Sequence, residues 1–369
     1  MKIGFLTSSR EDYGIYKPLL DKLKADPQVS IHMIAFGMHI QSSQGNTLSI
    51  VESDGYENLS IIGCMPENDA VYDIAKGYAS IVSSFVDFWN SNSFDVVFAL
   101  GDRWEMSAAV QASIPFQIRL AHIHGGETTL GAIDNLYRHQ ITLASKVHFT
   151  ASQEFSNRVE DIVGSSENVF TTGSISIDDL ANLSLPAWPS VQKKFQITFE
   201  KFILVTIHPE SVKVEMNQDF AVISFEVLSE IAKTNNILIT RANSDALGSL
   251  YNKQFERLQV LFPSKVRLVE SLGKLNYFKA MQQCEFMLGN TSSGIIEGAS
   301  FKKWVVNIGE RQKGRLRSKN IIDVSFDVNE IKDAINKVSG YEEFKGINEY
   351  WRPNSCEVII KEIKKFVLR

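Results

Sequence analysis

Cysteine is nearly absent: Cys64, Cys284 and Cys356 are the only three among 369 residues. An odd number with no Cys-x-x-Cys pair encodes neither a disulfide framework nor a zinc site, so each reads as a small buried hydrophobe. Long apolar runs are lacking as well, since none approaches the ~20 residues that span a bilayer. The short apolar start, Ile3-Gly4-Phe5-Leu6, gives way at once to Thr7, Ser8, Ser9 and Arg10, which is no signal peptide. A cytoplasmic protein with no membrane partner is expected. Neither charge sign dominates: 38 basic residues face 43 acidic ones, and no long block of either appears. That excludes the clustered basic surface on which nucleic-acid binding depends. No Gly-x-Gly-x-x-Gly loop follows the first strand-like run, which disfavours a nicotinamide dinucleotide. No Asp-x-Asp pair is present to hold a metal on a diphosphate. Neither a cofactor nor a metal is expected.

What is there looks globular. Hydrophobic residues make up 44% and charged residues 22% of the chain, and its length implies about two domains. Strand-like runs fall at 3–7, 31–36, 96–100, 120–124 and 147–150, then at 202–207, 237–240, 266–269, 286–288 and 304–308. Their apolarity is continuous rather than alternating, as in strands of a parallel sheet covered on both faces. Amphipathic helical patterns lie between them, for instance at 13–24, 71–88, 105–114, 133–144 and 224–234. The βα rhythm predicts an α/β fold of two Rossmann-like, doubly wound parallel-sheet domains. It pauses at Leu185-Pro186-Ala187-Trp188-Pro189, where two prolines in four residues argue against helix and central strand. Domains at 1–182 and 183–352 follow, with a final helix, 353–369, that packs back on the first. The aromatic stretch 85–89 reads either as core or as an oligomer contact.

Ligands of doubly wound sheets bind beyond the carboxyl ends of the strands, so the residues that follow each strand matter most. Arg10 follows the first, as a phosphate ligand or a solvated turn residue. Asp102 and Arg103 follow Gly101 at the end of 96–100, where Asp102 is either a helix cap or an acid/base group. The run His122-Ile123-His124-Gly125-Gly126-Glu127 places two imidazoles two apart in a strand, hence on one face, ahead of two glycines and a carboxylate. No further His or Cys lies at ligand spacing, which leaves an acid/base cluster or a structural histidine. Asp134 and Arg138 stand i, i+4 on a helix, as part of the cluster or as a surface ion pair. In the second half His208, fixed by Pro209, stands at a strand tip, and Asn243 and Asp245 follow another strand. The stretch Gly289-Asn290-Thr291-Ser292-Ser293-Gly294 joins a strand to a helix through hydroxyls and glycines, the composition of an anion site. Glu297, one turn on, suits ribose hydroxyls, and Arg311, Lys313 and Arg315 form a short basic loop.

A phosphate cradle in one domain and a carboxylate/histidine cluster in the other, without a metal motif, suggest a nucleotide-sugar enzyme of GT-B-like architecture with its site in the interdomain cleft. The chain resembles the hydrolysing UDP-N-acetylglucosamine 2-epimerases of bacterial sialic-acid and legionaminic-acid pathways. The resemblance rests on Ser9-Arg10-x-x-Tyr13-Gly14, Gly37-Met38-His39, Gly45-Asn46-Thr47, Gly101-Asp102-Arg103, His122 to Glu127, Asp134 with Arg138-His139, His208-Pro209-Glu210, Asn243-Ser244-Asp245, Gly289 to Gly294 and Arg311 to Arg315. It implies loss of UDP from C1 with the C2 proton, then hydration of the 2-acetamidoglucal to N-acetylmannosamine. By motif match Asp102 and Asp134 would be acid/base carboxylates, and His208 would touch sugar or diphosphate. Arg10, Ser292, Ser293 and Glu297 would hold UDP, with Arg103, Arg138, Asn243, Asp245, Gly294, Arg311, Lys313 and Arg315 completing the substrate-binding set.

Some family members, including the animal bifunctional enzyme, carry a carboxylate where His124 stands. The third catalytic group here is therefore His124 or Glu127, with His124 read as proton carrier and Glu127 as its support. The chain ends after the second domain, so the kinase half of that animal enzyme is not expected. Partners implied are the UDP-sugar, UDP and a second copy of the chain, as a homodimer or homotetramer. A sister branch uses the 4-acetamido-6-deoxy sugar nucleotide, UDP-2,4-diacetamido-2,4,6-trideoxyglucose. A GT-B glycosyltransferase, a UDP-sugar-binding regulator and a non-hydrolysing epimerase are the rival readings.

Overall fold

The computed structural model describes residues 1–40, 47–63, 71–128, 130, 133–178, 180, 183–210, 212–242 and 247–369. The chain divides into two units: Met1–Thr128 with Asp134–Leu180 and Tyr350–Arg369, and Thr129–Ile133 with Ala181–Glu349.

The first unit alternates β1 (Lys2–Thr7), α1 (Arg10–Lys24), β2 (Ser30–Ala35), α2 (Leu48–Ser53), β3 (Asn58–Ile61), α3 (Val71–Ser91), β4 (Val96–Leu100) and α4 (Trp104–Ser113). It continues through β5 (Leu120–Ile123), α5 (Asp134–Ala144), β6 (Val147–Thr150), α6 (Gln153–Val163) and β7 (Val169–Thr171). The seven strands form one parallel sheet in the order β3-β2-β1-β4-β5-β6-β7. Both faces are apolar because successive side chains point to opposite sides. Ile3, Phe5, Val96, Phe98 and Leu100 join one core, whereas Leu6, Val97 and Ala99 join another on the far face. The aromatics of 85–89 belong to the second of these cores: Phe85 and Trp89 are buried against Phe36 and Phe94.

In the second unit α7 (Trp188–Phe195) precedes β8 (Ile203–Thr206), α8 (Asn217–Ala232), β9 (Ile237–Thr240), α9 (Gly248–Leu261), β10 (Val266–Val269) and α10 (Lys274–Gln283). Then come β11 (Met287–Gly289), α11 (Ser292–Ile296), β12 (Val305–Ile308), β13 (Ile321–Val324) and α12 (Val328–Ser339). The six-stranded parallel sheet runs β10-β9-β8-β11-β12-β13. Helix α7 overturns the expectation that Pro186 and Pro189 forbid a helix. Pro189 sits in its first turn, where no intrahelical N–H is needed.

The last helix, α13 (Ser355–Leu368), returns to the first unit and buries Cys356, Ile359 and Ile363 in its core. Asp178 fixes its start by accepting the N–H of Ser355 at 2.5 Å and of Cys356 at 3.1 Å, a carboxylate on the positive end of a helix. Residues 350–352, expected in the second domain, therefore lie in the first unit. None of the described helices is long and apolar enough to cross a membrane.

In each sheet the strand order reverses at one place, between β1 and β4 and between β8 and β11. In doubly wound sheets ligands bind in the crevice outside the strands' carboxyl ends at such a reversal. Arg10, Asp102 and Arg103 follow the strands that flank the first switch point, and His208 and Ser292–Gly294 follow those that flank the second.

Candidate active site

At the first switch point Gly101 follows β4, its carbonyl facing Nε2 of His122 at 2.9 Å, and Asp102 comes next. Burial lowers the His122 pKa well below the ordinary range, so this ring is neutral and braces the turn. Arg138 then enters from α5. Its guanidinium is almost wholly buried, donating through Nη2 to the Asp102 carboxylate and through Nη1 to the His124 carbonyl at 2.7 Å. The i, i+4 spacing from Asp134 thus does not place Arg138 on the helix surface. Asp134 itself is half-buried in the first turn of α5.

The strand reading that puts His122 and His124 on one face does not hold, because His124 lies outside the strand. Strand β5 stops at Ile123 and His124 adopts φ +66°, a left-handed conformation uncommon outside glycine. Such a residue persists only where its surroundings fix it. Here the His124 N–H donates to the Phe149 carbonyl at 3.0 Å, its carbonyl accepts from Arg138, and Nδ1 lies 2.7 Å from Oε1 of Glu127. Nε2 faces Oγ of Ser174 at 3.5 Å. Both His124 and Glu127 are buried. Gly126 makes the turn between them possible. At its φ of +75° a Cβ would stand 2.2 Å from the Phe155 carbonyl oxygen. Arg158 of α6 ties the loop down, donating to the Gly126 carbonyl at 2.6 Å and to the Thr128 hydroxyl.

Beside this cluster Arg103 makes a two-point ion pair with the buried Glu105, at 2.9 and 3.3 Å. Arg10 is exposed at the start of α1, 3.7 Å from Glu11. Three buried groups near the strand ends were assigned no role from the sequence. Asp12 accepts from the Ser8 N–H and hydroxyl at 2.9 and 2.6 Å, and burial raises its carboxyl to about 6. His39 bridges the Thr7 and Thr47 hydroxyls at 2.9 and 3.1 Å, and burial lowers its pKa to about 4. Glu105 is the third. Asp12 and Glu105 sit in first helical turns, where an acidic residue is ordinary, so their burial carried no sequence signal.

At the second switch point His208 follows β8, and Asn290-Thr291-Ser292-Ser293 follows β11. The Thr291 hydroxyl accepts the Ser293 N–H at 3.4 Å as the cap of α11, and the Ser293 hydroxyl meets Tyr277 Oη at 3.0 Å. Gly294 begins the close packing of α11 on β12, and Glu297 is buried at the helix end. After β12 come the half-buried Arg311 and Arg315, and the exposed Lys313, which pairs with Glu310 at 2.8 Å. Asn243 and Asp245 lie outside the described residues. Among the described residues no group of His, Cys, Asp or Glu is placed to hold a metal ion.

Two Rossmann-like parallel-sheet units with polar clusters at their switch points are a GT-B-like fold, the fold of nucleotide-sugar enzymes. Comparison with solved structures gives the same fold: a UDP-N-acetylglucosamine 2-epimerase of Neisseria meningitidis bound to UDP-N-acetylglucosamine superimposes with TM-score 0.82 at 20% identity, over 99% of this chain and 100% of that one. A Methanocaldococcus jannaschii UDP-N-acetylglucosamine 2-epimerase in complex with the same sugar nucleotide and UDP gives 0.79 at 15% identity, over 99% and 100%. The chain belongs to the UDP-N-acetylglucosamine 2-epimerase family, whose sequence profile matches residues 21–364. Among relatives, polysialic acid biosynthesis protein P7 of Escherichia coli is 30% identical over 99% of this chain and 94% of its own length. The hydrolysing UDP-N,N'-diacetylbacillosamine 2-epimerase of Legionella pneumophila is 31% identical over 91% and 89%.

Proposed function

We propose that this enzyme is a hydrolysing 2-epimerase that converts UDP-N-acetylglucosamine to N-acetylmannosamine and UDP, for sialic-acid-type nonulosonate biosynthesis. The observation that carries the reading is the buried Arg138, which holds Asp102 on one side and the backbone of the His124–Glu127 pair on the other. Two proton-handling groups in fixed register are what an elimination followed by a hydration requires. A glycosyltransferase needs one base and leaves the C2 proton in place.

In the first step the C1–O bond to UDP breaks and its electrons leave with the diphosphate. The C2 proton goes to a carboxylate, Asp102 or Asp134, and the C1=C2 bond of the glycal forms. C–O cleavage runs ahead because the C2 proton is not acidic, so carboxylates near the ring stabilise the developing positive charge. In the second step water adds its OH to C1 and its remaining proton passes to solvent, while a proton taken up from solvent by Nε2 of His124 is delivered to C2 from the opposite face. His124 carries that proton, with Glu127 fixing the Nδ1–H tautomer and leaving Nε2 for the reaction. In the second unit His208, Ser292, Ser293, Glu297 and the basic loop Arg311–Arg315 receive the UDP moiety.

A second reading keeps the chemistry and changes the sugar to the 4-acetamido-6-deoxy analogue. It is favoured by the identity of 30–31% to the diacetylbacillosamine epimerases of Campylobacter jejuni and L. pneumophila, against 25% to the meningococcal UDP-N-acetylglucosamine 2-epimerase. A proton NMR time course in D2O with each sugar nucleotide as sole substrate tests both readings. Free 2-epimeric sugar deuterated at C2, appearing with UDP, is the expected product. A UDP-linked epimer as the accumulating product would make the enzyme non-hydrolysing, and no turnover of either sugar would overturn both readings.

A further inference from the structure

Three segments of the second unit meet at one fully buried residue, Asn290. Its side chain takes both backbone polar groups of His208: Nδ2 donates to the His208 carbonyl at 2.9 Å, and Oδ1 accepts the His208 N–H at 2.8 Å. Its own carbonyl accepts from Nε2 of the buried Gln312 at 2.8 Å. One amide therefore ties the tip of β8 to the turn after β11, and Gln312 ties that turn to the basic loop.

The loop has a second anchor. The carboxylate of Glu210, 3% exposed, accepts the N–H of Glu310 at 2.5 Å, one residue before Arg311. Gly309 passes so close, at φ +76°, that a Cβ there would lie 2.2 Å from Oε1 of Glu210. Glu210 is held in turn by Asn217, whose Oδ1 accepts the Glu210 N–H and whose Nδ2 donates to the Glu210 carbonyl, each at 2.9 Å. The Tyr251 hydroxyl donates to Asn217 at 3.0 Å. Loops after strands are ordinarily the mobile parts of an α/β unit. Here buried side chains spend their bonding capacity on backbone groups of the loops rather than on the core.

We propose that Asn290 and Glu210 are positioning residues that join His208, the turn Thr291–Gly294 and the loop Arg311–Arg315 into one preformed receptor for the diphosphate. A preformed receptor avoids ordering three loops during binding, so its effect concentrates on ligands that touch all three. The inference rests on the UDP-sugar reading above.

Calorimetric titration of the full-length protein with UDP and with UMP, alongside thermal melts, tests it. Glu210→Ala and Asn290→Ala are expected to weaken UDP by about tenfold or more while UMP changes by less than about threefold, with melting lowered by no more than about 10 °C. Glu210→Gln, whose amide oxygen still accepts the Glu310 N–H, restores near wild-type UDP affinity. Gln312→Ala removes only the tie between turn and loop, and carries the same expectation should Asn290→Ala not fold. Unchanged UDP affinity in the alanine variants, or an equal loss of UDP and UMP, overturns the proposal while leaving the epimerase reading intact. A wild-type protein that binds no UDP overturns both.

Discussion

One guanidinium, that of Arg138, fixes Asp102 and His124 relative to each other: Nη2 donates to the carboxylate of the first and Nη1 to the carbonyl of the second. Its Nε has no hydrogen-bond partner among the described residues. A buried arginine with one orphaned N–H is a poor stabiliser, which points to placement of the two groups as its use.

Arg138→Lys is therefore expected to lower kcat by about a hundredfold or more, because a single ammonium on a flexible stem does not reproduce the fork. UDP affinity should stay within about threefold of wild type, since the hydrogen bonds of the Arg138 guanidinium go to Asp102 and His124. Steady-state kinetics with UDP titration measures both. An unchanged kcat would remove Arg138 from the positioning role.

His124 and Glu127 act as a unit in the mechanism proposed above, and units are non-additive. His124→Ala and Glu127→Ala should each reduce kcat by about 10²–10⁴-fold. The double variant should be no worse than the poorer single one. Multiplying losses in the kinetic assay would mean that the two side chains work independently.

The two-domain α/β fold and most central strands are legible in the sequence because parallel strands buried on both faces are apolar throughout. The three strands that pass unnoticed, β3, β7 and β13, are edge strands of their sheets and only half-buried, so no continuous apolar run marks them. Pro189 reads as a breaker until its place in a first helical turn is known. The candidate residues are legible because they follow strands, but their pairings are not. Arg138 is four residues from Asp134 in sequence, yet its guanidinium goes to Asp102, thirty-six residues away. The left-handed turn of His124 is hidden for a similar reason: the residue type gives no sign of it, and Gly125 and Gly126 mark only that a turn is near. Glu210 and Asn290 stand inside quoted motifs, but their work is done on backbone groups, which sequence pattern does not display.

Gly289 ends β11 with φ +137°, and a Cβ there would stand 1.9 Å from the Thr206 carbonyl oxygen. Neither the backbone nor its neighbour strand has room to yield. Gly289→Ala is expected to cost at least about 3 kcal/mol of stability, read from urea unfolding midpoints. A loss under about 1 kcal/mol would show that β8 and β11 are less closely apposed than described.

Stability should fall on acidification, and the histidines set the window. Burial lowers the pKa of His39 and of His148 from 6.5 to about 4, and that of His122 well below its usual value. Between those limits the unfolded chain binds protons that the folded chain does not, so unfolding gains free energy as pH drops from 6.5 towards 4. Asp12 works in the other direction. Burial raises its pKa from 3.8 to about 6, so the folded chain keeps a proton that the unfolded one loses, and stability declines as pH rises across that range. Burial lowers the pKa of His32 and His139 as well, so the histidines outnumber this one raised carboxyl and leave a net loss on the acid side. His148→Leu removes one share, because its ring is buried in β6 and its Nδ1 has no partner among the described residues. The variant should lose less stability between pH 6.5 and 4 than wild type, by up to about 3 kcal/mol. Asp12→Asn should lose more, since the opposing contribution is gone. Urea unfolding at half-unit steps of pH measures both slopes, and a His148→Leu slope equal to that of wild type would mean that this ring charges as freely in the folded protein as in the unfolded chain.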